Sequence, residues 1–296
     1  MTIDLASLPT PAVIESLAFE TILAEAKADF VARYPDSAAV IDLESDPIVK
    51  LLEAFAYREL LLRARYNDEA KALLLAFATG SDLDHIGATY YQEARLVVTQ
   101  ANPATIPPTP VVMESDTDYR QRLALKPESW SVAGPRDAFK FHAISADGQI
   151  KDASVISPEG GTTQIYVLTR EGSGIPTPTQ LAAVTGAVTG EDVRPLSEAV
   201  IVSPASIVNY SLDIELTVFA GPSTEVVTGA VQAALQAYAA DHHLLGTDII
   251  RSAIDAAAHV AGVKKVVIVS PAADVVCTAG QAPWCTGITV AVTAIE

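Results

Sequence analysis

Acid–base or metal chemistry in this chain would fall to five histidines, His85, His142, His242, His243 and His259, and to the carboxylates around them. His242 and His243 follow Asp241 at the end of a helical pattern, where a cation meets the negative end of the helix dipole. Adjacent residues of a helix point about 100° apart, so the two rings do not converge on one metal. They read as a helix cap or surface pair. His85 lies in Asp82-Leu83-Asp84-His85, a first helical turn whose carboxylates serve the amide cap, while His142 and His259 sit beside apolar stripes as core or boundary groups. Asp116/Asp118 and Glu191/Asp192 have the residue types of a glycosidase acid and base, but that chemistry depends on a separation in space. In an acidic chain they read as cap and loop residues. Gly172-Ser173-Gly174 lacks the spacers of a nucleophile elbow and reads as a loop between a strand and a helix. Cys277 and Cys285 flank Pro283-Trp284 in an expected loop and, without two more ligands at metal spacing, read as free thiols. The sequence holds no Gly-x-x-x-x-Gly-Lys loop, no Gly-x-Gly-x-x-Gly turn and no His-Glu-x-x-His pair. Neither a cofactor nor a metal is expected.

Much scaffold surrounds this sparse chemistry. The chain has 296 residues, half of them apolar and 19% charged, enough to bury a core or two without staples. That composition disfavours a disordered, collagenous or purely coiled-coil protein. Nineteen basic against 36 acidic residues give a net charge of −17, which repels phosphate backbones and argues against nucleic acid as a partner. No run of about 18 apolar residues spans a membrane. Met1–Pro9 lacks the basic start and apolar run of a secretion signal, and two cysteines fit a reducing compartment.

The hydrophobic period then places the elements. Thr2–Pro11 reads as extended, and Ile14–Tyr34 as a helix. A stronger helix opens at Glu44-Ser45-Asp46-Pro47 and runs without internal Gly or Pro to Thr79, before Gly80. Unbroken, it would be about 50 Å long, and a helix of that length packs along others in a bundle or across a subunit boundary. Two helices with a bend near Asn67-Asp68 fit the same residues. Leu52, Phe55, Leu62, Tyr66 and Leu73 lie on its stripe and are the candidate anchors of a partner-binding face, with an intramolecular core as the competing use. A short helix follows from Leu83 to about Glu93.

Thr99–Pro110, with Pro103, Pro107, Pro108 and Pro110, reads as a stiff extended linker. Helices are expected from Ser115 to about Leu125 and from Gly134-Pro135 to about Ser145. The period changes at Val155. Strands at Lys151–Ser157 and Gln164–Arg170 flank a turn at Pro158–Gly161, then come a helix at Thr179–Thr189 and a strand at Val200–Ser203. A second unit follows with strand Ile207–Phe219, helices Ser223–Ala240 and Asp248–His259, and strand Val263–Ser270; Gly287–Thr293 is a final strand after a loop. The fold class is α+β: a helical region at 1–98, a proline-rich linker at 99–113, and two α+β domains at 114–205 and 206–296, with helices on small mixed sheets.

Several fragments together resemble a known family. They are Glu44-Ser45-Asp46-Pro47-Ile48-Val49-Lys50-Leu51-Leu52-Glu53, Tyr57-Arg58-Glu59-Leu60-Leu61, and Ala76-Phe77-Ala78-Thr79-Gly80-Ser81-Asp82-Leu83-Asp84. Farther along come Met113-Glu114-Ser115-Asp116, Tyr119-Arg120-Gln121-Arg122, Ser131-Val132-Ala133-Gly134-Pro135 and Asp192-Val193-Arg194-Pro195. Ile207-Val208-Asn209-Tyr210 and Arg251-Ser252-Ala253-Ile254 complete the set. In this order, across nearly the whole chain, they resemble the baseplate J family of contractile-tailed phages.

The resemblance implies a structural protein without catalytic residues. It implies assembly with a baseplate I-like partner, a baseplate W-like protein and other copies of this chain into wedges and a ring around the hub. Hub and sheath are further implied contacts, and rearrangement of the ring releases sheath contraction. Related wedge proteins occur in contractile bacteriocins and secretion machines. Such a protein resides in the tail baseplate of the particle and is assembled in the bacterial cytoplasm. Two other classes stay open on the residues alone: a tail-associated cell-wall hydrolase using an acidic pair, and an adhesion module, which the 6% aromatic content disfavours.

Overall fold

In the computed structural model the described residues are 17–131, 133–195, 197–221 and 223–295, so the extended reading of Thr2–Pro11 and the start of the Ile14–Tyr34 helix lie outside them. The chain divides into two compact units, one up to Ala94 and one from Arg95 onward.

The first unit is helical. Helix α1 (Phe19–Arg33) packs on α2 (Pro47–Ala72). Asp46 caps α2 by accepting from the Ile48 amide at 2.8 Å, and Pro47 occupies the first helical position, where its missing amide costs nothing. The helix is seven residues shorter than the Pro47–Thr79 pattern and ends past Asn67-Asp68 without stopping there. Leu73 is its cap, the Phe77 and Ala78 amides bond the Leu74 carbonyl in a turn, and Gly80 takes a left-handed φ of +53°. Helix α3 (Gly80–Ile86) follows and ends in one π turn at Gly87–Tyr91, so the short helix starts earlier than Leu83.

The second unit begins with a surprise for the proline-rich stretch. Its flanks, β1 (Val97–Thr99) and β2 (Val112–Met113), pair antiparallel, with a further bridge between Asn102 and Thr109. The prolines keep this stretch out of a helix or central strand, as expected, but it doubles back instead of running extended. Gly148 is what lets the body lie against it: a Cβ there would stand 2.2 Å from the Val97 carbonyl oxygen. Helices α4 (Asp116–Leu125) and α5 (Arg136–Ser145) come next, then the hairpin β3 (Ile150–Glu159) and β4 (Thr162–Thr169) around Gly160-Gly161. Helix α6 (Pro178–Val188), with a reciprocal Thr177/Gln180 capping box, crosses to β5 (Ala199–Pro204), which pairs parallel to β4. Phe139, Ile150, Ile165, Val167, Val184 and Val188 close a core between the sheet and α5 and α6.

A second sheet has the order β7-β6-β8. Strand β6 (Ser206–Val218) alternates as a half-buried strand must, with Tyr210, Leu212, Ile214, Leu216 and Val218 inward and Ser211 outward. Helices α7 (Thr224–Asp241) and α8 (Arg251–Ala258) cover that inner face through Val227, Val231, Leu235 and Ile254. Strand β7 (Val263–Ser270) lies antiparallel to β6, and β8 (Gln281–Ile295) parallel to it. Here the sequence reading needs correcting: Pro283, Trp284 and Cys285 belong to β8, not to a loop. Pro283 is tolerated because β8 is an edge strand, where a missing amide breaks no ladder. Helix α8 starts three residues later than expected because Asp248 is used elsewhere, accepting from the Cys277 amide at 2.8 Å.

Candidate partner-binding surfaces

Helix α2 uses its small residues inside and leaves its large ones outside. Val49, Ala56 and Asn67 are buried, and at seven- and eleven-residue spacing they share one face. Of the five expected anchors, Phe55, Leu62 and Tyr66 are 60%, 54% and 66% exposed, Leu52 is half-buried, and Leu73, now the helix cap, is 80% exposed. Leu51, Tyr57 and Leu61, none of them among the expected anchors, are exposed as well. Phe55, Leu62 and Tyr66 are spaced by seven and four residues and form one stripe, rotated by roughly a third of a turn from the buried face. Ion pairs border it: Arg63 reaches Glu59 at 2.5 Å and Glu25 at 3.6 Å, and Arg65 reaches Glu69 at 2.8 Å. Neighbouring exposed apolar groups of this size make this stripe a candidate association surface.

The acidic residues behave differently. Glu114 and Arg122 form an ion pair at 2.8 Å with side chains 4% and 1% exposed, and the Leu96 amide also donates to Glu114. Two guanidinium groups stand over the Tyr119 ring, Arg95 4.9 Å and Arg122 5.3 Å from its centroid. Arg95 pairs with Asp116 at 2.5 Å and also donates to the Glu114 carbonyl. Ser115 caps α4, accepting from the Asp118 amide and donating to the Asp118 carboxylate, which in turn holds Arg170 at 2.8 Å. Thus Asp116 and Asp118 are cap and ion-pair groups, while Glu191 and Asp192 stand exposed in a turn. The fragments Met113–Asp116 and Tyr119–Arg122 thus supply Glu114, Asp116, Tyr119 and Arg122 to one charge network.

Of the histidines, His242 caps α7 through a 2.9 Å contact from Nδ1 to the Tyr238 carbonyl. His243 is not a surface group. It is buried, donates from Nδ1 to the Pro283 carbonyl at 2.6 Å, and packs edge-on against Trp284 at 5.0 Å. Burial pushes its pKa below the ordinary histidine value, with Lys151 adding to the effect. His85 and His259 are exposed and His142 is half-buried. Cys277 and Cys285 are free thiols whose pKa burial raises, which leaves them weak nucleophiles. Among the described residues, no cluster of three or more His, Cys, Asp or Glu is placed to hold a metal, and no helix is long and apolar enough to cross a membrane.

Comparison with known proteins decides what this scaffold is. Sequence models of the Baseplate J-like N-terminal, central and C-terminal domains match residues 44–102, 131–204 and 210–291. Baseplate protein J of Escherichia phage P2 is 48% identical over 289 residues, covering 96% of this chain and 95% of that one. The chain belongs to the baseplate J family. It is accordingly a structural protein of a phage tail baseplate. A chain of the anti-feeding prophage baseplate, solved by cryo-electron microscopy, aligns with a TM-score of 0.40 at 11% identity, over 66% of this chain and half of that one.

Proposed function

We propose that this baseplate J-family protein is a wedge component that binds an I-like partner and further copies of itself through the α2 stripe. The supporting observation is the inverted use of side chains on α2: Phe55, Leu62 and Tyr66 face solvent while Val49 and Ala56 are buried. Leu52 and Leu73 border the same surface. Fully burying an apolar side chain of this size is worth about 1.5–3 kcal/mol, so each anchor contributes favourably to association. Wedges then close into a ring around the hub, with a W-like protein and the sheath as further neighbours. Rearrangement of the ring releases contraction, a rigid-body change at subunit contacts. Assembly takes place in the bacterial cytoplasm, and the mature location is the tail of the particle. The working division remains 1–98, 99–113, 114–205 and 206–296, with the proline-rich segment now a folded-back hairpin.

A non-enzymatic role follows from the same reading. Asp116 and Asp118, the acidic pair a hydrolase would use, are engaged by Arg95 and Arg170. The experiment is co-expression with the neighbouring proteins of its operon, followed by mass determination of the complex. A defined complex with more than one copy is expected from the native chain, and Leu62→Asp is expected to abolish it while leaving the circular dichroism spectrum unchanged. A Leu62→Asp chain that assembles normally would remove α2 from the interface.

A further inference from the structure

Between the first sheet and the α7–β8 side of the second lies a pocket of about 560 Å³, a volume in the range of ligand sites. One wall is the start of β3 and the loop after β4, which bring Lys151, Arg170 and Gly172. The other is the C-terminal half of α7 and the early part of β8, with Gln232, Gln236 and Trp284. Acidic residues outnumber basic ones 36 to 19 in this chain, yet among the described residues no Asp or Glu lines the pocket and its charged groups are Lys151 and Arg170. Asp118, Asp152 and Asp241 act on Lys151 from outside the lining, and the first two already hold Arg170 and Lys140. Glu171 is exposed and outside the lining as well. The Gly172-Ser173-Gly174 loop is folded tightly next to Arg170: the Thr169 amide donates to the Gly174 carbonyl and the Gly174 amide to the Glu171 carbonyl, both at 2.9 Å.

Both cations are fixed by their own contacts and keep donors to spare. Arg170 gives Nε to the Gly148 carbonyl at 3.1 Å and Nη1 to Asp118 at 2.8 Å, which leaves Nη2 without a hydrogen bond among the described residues. Lys151 gives one of its three N–H groups to the Ala240 carbonyl at 3.0 Å. Burial, together with the nearby Arg170, lowers the Lys151 pKa against the pull of Asp118, Asp152 and Asp241. The two like charges are therefore close enough to repel, and an anion shared by them would relieve that cost. Trp284 supplies flat apolar surface and is braced by the edge-on His243 ring at 5.0 Å. Gln232 and Gln236, one turn apart on α7, are exposed neutral amides. The wall at Ala239 and Ala240 is the C-terminal end of α7, the negative end of its dipole, which opposes a multiply charged anion.

We infer that this pocket is a carboxylate-binding site: one ionised carboxyl group is shared by Lys151 Nζ and Arg170 Nη2, and the apolar body that carries it lies against Trp284. Charge selects this ligand. A cation would meet Lys151 and Arg170, and the second charge of a phosphate would meet the α7 dipole, whereas a carboxylate brings one charge and two oxygens to two donors. Charge-assisted hydrogen bonds of this kind are about twice as strong as neutral ones. The carboxyl group is carried by an acidic side chain beside an apolar one on an exposed segment of a neighbouring protein, or by a free small acid of the same make-up. The inference does not use α2 and stands apart from the reading of that helix.

The test uses the full chain. Of its two tryptophans, Trp130 is 65% exposed and outside the pocket, so Trp130→Phe leaves the fluorescence of Trp284 as the readout. The peptide acetyl-Gly-Phe-Glu-Gly-amide is expected to change that signal saturably, with half-saturation below about 1 mM, and its twin with Gln in place of Glu to bind at least about tenfold more weakly. In the same background, Lys151→Met removes a donor, and Gln236→Glu adds a negative charge at an exposed position that leaves the core untouched. Each is expected to weaken the peptide about tenfold or more. Phenylacetate binding as tightly as the peptide would support the site and name a free small acid as its occupant, while tighter peptide binding would support it and name a protein segment. Half-saturation above about 1 mM with both probes, a Gln twin that binds as well as the Glu peptide, or a Gln236→Glu chain of native circular dichroism that binds as well as its parent would each overturn the inference.

Discussion

The helical unit and the α+β unit follow opposite rules for their large side chains. In the α+β unit bulky apolar groups build the core, with Leu212, Ile214, Leu216, Val231 and Leu235 all within 1% of full burial, while Trp130, Val226 and Val276 lie scattered outside it. In the helical unit the described core is Ile22, Ile41, Val49, Ala56, Ala78, Leu83 and Ile86, while Leu51, Phe55, Tyr57, Leu61, Leu62 and Tyr66 stay outside. One unit closes its own core. The other leaves many of its large apolar groups exposed, and if they meet neighbours as proposed, its stability is tied to assembly by mass action.

The sharpest way to break this comparison is at the Glu114–Arg122 pair of the α+β unit. Arg122→Met leaves a buried carboxylate unpaired and is expected to cost about 3–5 kcal/mol in urea unfolding, with much of it recovered in the Glu114→Leu, Arg122→Met double variant. Next in size, Leu235→Ala opens a cavity under the second sheet and is expected to cost about 2–5 kcal/mol. Phe55→Ala on the helical unit should shift the stability of the isolated chain by no more than about 0.5 kcal/mol, yet weaken the wedge complex. If Phe55→Ala destabilises the lone chain as Leu235→Ala does, the two units are built alike and the contrast fails.

A smaller effect concerns pH. His243 is held neutral by burial, with a pKa below its unfolded value, so the unfolded chain binds the proton first as pH falls. Its contribution is therefore complete above about pH 6.5 and lost as pH drops toward the folded value. Melting temperature measured from pH 7.5 downward is expected to fall less in His243→Gln than in the native chain, with the helical unit contributing nothing to the difference.

Much of this architecture was legible because local rules and tertiary packing agree. Asp46-Pro47 starts α2 where capping chemistry says it must, and the stripe Val227, Val231, Leu235, Tyr238 is the buried face of α7. The misreadings share a cause, which is contact with residues far away in sequence. The prolines of the 99–110 segment speak only of stiffness, whereas the pairing of Val97 with Met113 is what folds the segment back. Strand β8 begins six residues early because Gln281–Cys285 finds partners in Ser206–Tyr210. His243 is buried because Pro283, forty residues on, supplies a carbonyl. The exposed stripe Phe55, Leu62 and Tyr66 on α2 was identifiable by spacing, but the neighbouring exposed Leu51, Tyr57 and Leu61 fall outside a single stripe, so periodicity passes over them.

The hairpin tip at Gly160-Gly161 offers a practical opening. A side chain added at Gly160 would meet nothing within 4 Å, and both glycines are exposed at the end of β3 and β4. Exposed tips of small residues are where inserted sequence is best tolerated. A fluorophore or short epitope placed there would lie outside α2, and would report on assembly into the baseplate while the proposed α2 contact surface remains native.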